Sequence, residues 1–82
     1  MRTIIAHIVN EDPFVAEVSE LPGRTDTCVE FFNPRLRDGK PLRYATHGMS
    51  SIIFPMHRVS FIEVMASEEE RAQVVEFFRD RG

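Results

Sequence analysis

The side chains best equipped for chemistry in this sequence lie between Arg35 and Arg58. Arg35, Arg37, Lys40 and Arg43 fall within nine residues, opposed only by Asp38, and Tyr44 follows at once. Guanidinium forks and an ammonium suit phosphate oxygens, and a tyrosine ring can stack on a base. A charged loop is also the ordinary solvated surface of a domain, and Arg and Lys along a sheet edge are a common guard against aggregation. His57 and Arg58 make a second polar pair, whose plain role is a surface turn with the imidazole in a local hydrogen bond. His7 sits among apolar residues and fits a partly buried, hydrogen-bonded histidine better than a ligand. Cys28 is alone and is expected to be a small buried hydrophobe. Glu17, Glu20, Glu30 and Glu63 are carboxylates in β-rich runs, where they face solvent or pair with arginines of a neighbouring strand more often than they act as acid and base. No nucleophile–base arrangement, glycine-rich phosphate loop or metal-ligand spacing appears. No catalytic residue, metal ligand or cofactor site is therefore assigned, and an enzyme is not expected.

These residues must be positioned by a small chain. Its 82 residues make one domain close to the lower limit for a self-sufficient core. An apolar share of 43% against 28% charged is that of a folded globular chain. One cysteine excludes an internal disulfide, and three separated histidines offer no structural zinc site. Association between copies is the remaining way to stabilise so small a core. The net charge of −3 gives no global attraction to nucleic acid or anionic lipid. No apolar run approaches the roughly 20 residues that span a bilayer. The early His7 and Asn10-Glu11-Asp12 do not fit a signal peptide, so a cytoplasmic protein is expected.

The elements can be placed from pattern. Thr3–Val9 is β-branched and predicts the first strand, and Asn10–Pro13 a turn. Phe14–Glu20 alternates, with Phe14, Ala16 and Val18 on one face and Val15, Glu17 and Ser19 on the other. Cys28–Phe32 predicts a third strand. Residues 33–48 are irregular, with Asp38-Gly39 as a hairpin-type turn signal, and are expected to form a long bent hairpin. Ser51–Phe54 and Arg58–Met65 are two further strands, separated by Pro55, Met56 and His57. In the last of them Val59 and Phe61 are expected to point one way, and Ser60, Ile62 and Val64 the other. Both faces are then largely apolar, which predicts a strand covered on both sides and makes residues 50–65 the stretch around which the chain is organised. Ser67 and Glu70 form a capping box that opens a helix, with Val74, Val75, Phe77 and Phe78 along its apolar side. The fold class is mainly β: a small five-stranded antiparallel SH3-like or Sm-like barrel over 1–66, with one C-terminal α-helix over 67–82 packed on or beside it.

In layout the chain resembles the Sm-like (LSm/Hfq) small-barrel family. The likeness covers roughly Thr3 to Met65: a first hairpin, a variable loop between later strands, and a closing segment, I-I-F-P-M-H-R-V-S-F-I, divided by a very tight turn. The resemblance implies that the last two strands of neighbouring subunits pair edge to edge and build a ring, with His57-Arg58 at its pore or rim. The oligomer interface would then use Ile52, Phe54, Val59, Phe61, Ile62 and Val64. The family's helix precedes the barrel, whereas here it follows. Its RNA site uses an Asp and an Asn after the second strand and an Arg-Gly pair at the tight turn. Here those positions read Asp26-Thr27 and Phe54-Pro55, so that site is not carried over. The expected function is a homo-oligomeric module, joined through its edge strands, that scaffolds or binds RNA or another polyanion through Arg35, Arg37, Lys40, Arg43, Tyr44, His57 and Arg58. The alternative is a protein-interaction or accessory module that binds no nucleic acid.

Overall fold

The computed structural model describes residues 1–67 and 69–71. They form five antiparallel strands in one sheet: β1 (Arg2–Ile8), β2 (Phe14–Val18), β3 (Cys28–Arg35), β4 (Ser51–Pro55) and β5 (Val59–Val64). The strand order is β4-β3-β2-β1-β5. Four strands form a meander, and β5 returns to pair with β1.

The chemistry of the connections explains the order. Asn10 takes a left-handed φ of 64° in the β1–β2 turn, a conformation its short polar side chain tolerates. Gly23 N–H donates to Asp26 Oδ2 at 2.7 Å, folding the β2–β3 loop on itself. A 3₁₀ turn, Met56–Arg58, joins β4 to β5. It is held from both sides, since Met56 N donates to Thr27 O and Val9 N to Arg58 O, each at 2.9 Å. Edges of a flat sheet of this width would lie about 19 Å apart, four spacings of ~4.8 Å. Three residues of 3₁₀ turn cannot cross that gap, so the sheet must curl. The curled sheet is not closed: no ladder joins β4 to β5.

The core lies inside the curl. Ile4, Ala6 and Ile8 of β1, Phe14, Ala16 and Val18 of β2, and Val29 and Phe31 of β3 are buried, joined by Phe54 and by Leu42 from the long loop. The expected alternation of β2 is met, since Phe14, Ala16 and Val18 are all fully buried. Phe14 meets Phe31 edge to face with ring centres 5.2 Å apart, a favoured quadrupole geometry.

Three expectations are corrected. The organising stretch is not 50–65 but the β1–β2–β3 meander, which supplies most of the core. β3 runs past Phe32 to Arg35, because Asn33 enters the left-handed region at φ 50° and the ladder to β2 resumes one residue out of step. The strand thus survives what reads as a turn, Asn33-Pro34. In β5, Ile8 faces Val59 while His7 faces Phe61, so Ser60 is an extra residue. This bulge turns Val59 to the core side with Ile62.

The loop after β3 closes tightly at first and then wanders. Gly39 N donates to Leu36 O and Leu36 N to Lys40 O, each at 2.8 Å, with Gly39 at φ 89°. The Asp38-Gly39 turn is therefore present, but no returning strand follows Lys40, so the long hairpin is not formed. At the C-terminal end, Glu70 N donates to Ser67 Oγ at 3.2 Å and Glu70 Oε1 accepts from Ser67 Oγ at 3.0 Å. Arg71 N donates to Ser67 O at 2.9 Å, closing a first helical turn. Glu68 and the apolar side of the expected helix, Val74 to Phe78, lie outside the described residues.

Candidate interaction surfaces

The fold sorts the basic residues into separate places. On the outer face of the sheet, Arg35 donates from Nη1 to Glu17 Oε1 at 2.8 Å and to Asn33 O at 2.9 Å. Thr3 Oγ1 adds a long contact of 3.4 Å to the other carboxylate oxygen. The Arg35 hydrogen bond, with its charge, holds the Glu17 carboxyl below the usual range against the opposing effect of burial. Arg35 is thus committed to a cross-strand pair. Arg37 and Lys40 stand exposed on the tight turn, where Lys40 Nζ lies 4.0 Å from Asp38 Oδ2.

Arg43, Tyr44 and Arg58 belong to another place. Arg43 and Tyr44 border a small depression floored by Leu36 and Leu42 and rimmed by Glu11 and Asp12 of the β1–β2 turn. The Tyr44 ring meets Phe54 edge-on at 6.3 Å. Partial burial pushes the Tyr44 hydroxyl up, with Glu11 adding to the rise and Arg58 opposing it. Tyr44 therefore senses charges from two connections far from it in sequence. His57 and Arg58 are exposed on the 3₁₀ turn. The basic residues foreseen as one surface are divided between the outer face, the tight turn and this end, where two carboxylates join them.

Within the five strands, the large exposed apolar residues all lie on the two edge strands. Ile53 is 62% exposed, Phe61 55% and Val64 44%. The cover expected over both faces of β5 is not supplied by the described residues. Of the residues foreseen as an interface, Phe54 is a core residue and Ile52 and Val59 pack half-buried against the core. Ile53, missing from that set, is the outward apolar side chain of β4. Its signal was the run Ile52-Ile53-Phe54, in which alternation must turn one neighbour outward.

On the outer face of the β1–β5 ladder, His7 stacks on Phe61 with centroids 3.9 Å apart and planes 14° off parallel. His7 Nε2 lies 2.6 Å from Glu63 Oε1. The expected satisfied, partly buried histidine is found here. Cys28 is exposed, correcting its expected burial, because it opens β3 at the sheet margin opposite Pro55.

No protein-family model matches the sequence, and no curated protein or solved structure matches it either. Among the described residues no helix is long and apolar enough to cross a membrane.

Proposed function

We propose that this chain is a small self-associating β module of SH3-like or Sm-like type, a scaffold that joins copies through its sheet edges. The observation carrying this reading is the exposure of Ile53, Phe61 and Val64 on the two strands that end the sheet. Scattered surface apolar residues are normal, but large ones beside open backbone donors and acceptors form a template for another strand. The barrel subtype is supported by the strand order and by the 3₁₀ turn that links β4 to β5 across the curl. The exposed, single Cys28 fits a reducing compartment such as the cytoplasm. Light scattering after gel filtration tests the reading: a discrete oligomer is expected at micromolar concentration, and a monomer that persists on concentration refutes it.

A second reading, contact with RNA or another polyanion, rests on Arg43 and Tyr44 beside the β1–β2 turn, to which Arg58 is tied by the hydrogen bond from Val9 N to its carbonyl oxygen. Glu11 and Asp12 at the same place work against it. Titration of labelled RNA at two salt concentrations decides: binding that weakens with salt and with Arg43→Ala/Arg58→Ala supports it. No binding at low salt removes it and leaves a protein-only module.

A further inference from the structure

The backbone of the two edge strands restricts how copies can meet. Met65 N donates to Thr3 O at 3.1 Å, in step with the register Ile4↔Val64 and Ile5↔Glu63. In an antiparallel ladder, bonded and non-bonded pairs alternate. Phe61, Glu63 and Met65 therefore turn their N–H and C=O groups to β1, while those of Ile62 and Val64 face away. The side chains of Ile62 and Val64 lie on the core face, level with Ala6 and Ile4.

On β4 the pattern is the opposite. Met56 N donates to Thr27 O in register with Cys28↔Pro55, so Phe54 and Ile52 are the residues bonded to β3. Ser51 and Ile53 present the open groups, and their side chains lie on the outer face. At the next open position Pro55 has no N–H to offer.

When two edges join antiparallel, the open residues of one bond to open residues directly opposite on the other, and residues directly opposite share a face of the sheet. Joining β4 of one copy to β5 of another in this way would continue an outer face into a core face. Joining like to like keeps the faces aligned. Of the two like pairings, β5 with β5 has, among the described residues, the longer open edge and more exposed apolar residues, and it meets no proline.

Resting on the self-association reading, we infer that two copies pair antiparallel through β5 about a two-fold axis at Ile62. Ile62 then faces Ile62, Ser60 faces Val64, and Phe61 faces Glu63 of the second copy. A centre at Glu63 would set two carboxylates directly opposite, which is destabilising. A centre at Phe61 would pair Ser60 with Ile62 but set Val64 opposite Arg58, outside the strand, so one open residue fewer is paired. One sheet runs through both subunits in this dimer, and the β4 edges remain at its two ends.

The test uses proline on each open edge of the full chain. Val64→Pro removes an N–H that faces away from β1, and should raise the dimer dissociation constant about tenfold or more while circular dichroism stays that of the folded chain. Ile53→Pro, the matching change on β4, should leave the dimer intact. Loss of association in Ile53→Pro alone, or in both variants, overturns the proposal in favour of β4–β4 or β4–β5 pairing. Persistence in both overturns edge pairing while leaving self-association standing. A native chain that never associates refutes the underlying reading instead. Should Val64→Pro fail to fold, disulfide trapping in a Cys28→Ser background decides. Phe61→Cys mixed with Glu63→Cys should cross-link as a heterodimer, and cross-linking of either variant only with itself overturns the register.

Discussion

β2 and β5 are both short and apolar, and both pair with β1, yet they behave in opposite ways. β2 alternates: Phe14, Ala16 and Val18 disappear into the core while Val15 and Glu17 look outward. It lies at the centre of the sheet with a neighbour on each side. β5 sets Val59, Ile62 and Val64 on the core side and Phe61 beside Glu63 on the outer side, and lies at the margin, where only Val59 and Ile62 are half-buried. Alternation describes a strand whose surroundings come from its own chain. Exposed apolar side chains on each face, Phe61 outside and Val64 inside, describe one whose surroundings are incomplete among the described residues. The same residue type then has different energetic weight in the two strands.

The strongest way to break this contrast is Phe14→Ala. Phe14 is fully buried among Phe31 and Phe54. Its truncation should cost about 3–5 kcal/mol, enough to leave so small a domain largely unfolded in urea titration. A loss below ~1 kcal/mol would mean that the meander is not the core. Leu42 sharpens the picture from outside both strands. It is buried, yet it belongs to a loop without regular structure. Leu42→Ala should cost about 2–3 kcal/mol, showing that one side chain anchors the loop. Gly39→Ala should cost about 1 kcal/mol, because φ 89° strains any side chain there although the surrounding space is open.

These contrasts also show how much of the fold could be read from the residues. The five strands, the β2 faces, the Asp38-Gly39 turn and the Ser67–Glu70 cap follow from alternation, turn chemistry and capping, all of them local. What could not be read depended on distant partners. Asn33-Pro34 has the composition of a turn, and only the ladder to β2 carries the strand through it as a bulge. Cys28 looks like a core residue until its place at the sheet margin opposite Pro55 is known. The basic run looks like one surface in sequence. Glu17 draws Arg35 to the outer face, while the depression near Glu11 and Asp12 takes Arg43 and Tyr44.

Phe61 provides the counterpart of Phe14. The residue is more than half exposed, and its ring stacks on His7. Phe61→Ser should therefore change the stability of the dissociated subunit by less than about 1 kcal/mol. The same change should weaken self-association, read by light scattering across a dilution series. Equal and large losses at Phe14 and Phe61 would erase the distinction between the central strand and the edge.

The smallest expected effect lies on the outer face of β2. The Glu17 carboxyl is held below its ordinary value of 4.5 chiefly by the Arg35 hydrogen bond. A carboxyl lowered on folding contributes stability that is fully present above its unfolded value and is lost as pH falls through the lower, folded one. Glu17→Gln should thus cost about 0.5 kcal/mol at neutral pH, as expected for a partly exposed pair. The difference from the native chain should hold down to about pH 4.5, then narrow and vanish as Glu17 becomes protonated in both states. Urea denaturation of both proteins at a series of pH values measures this. A gap that stays constant through acid pH would mean that the glutamate acts through its packing on β1 and β3, leaving Arg35 free to seek a partner elsewhere.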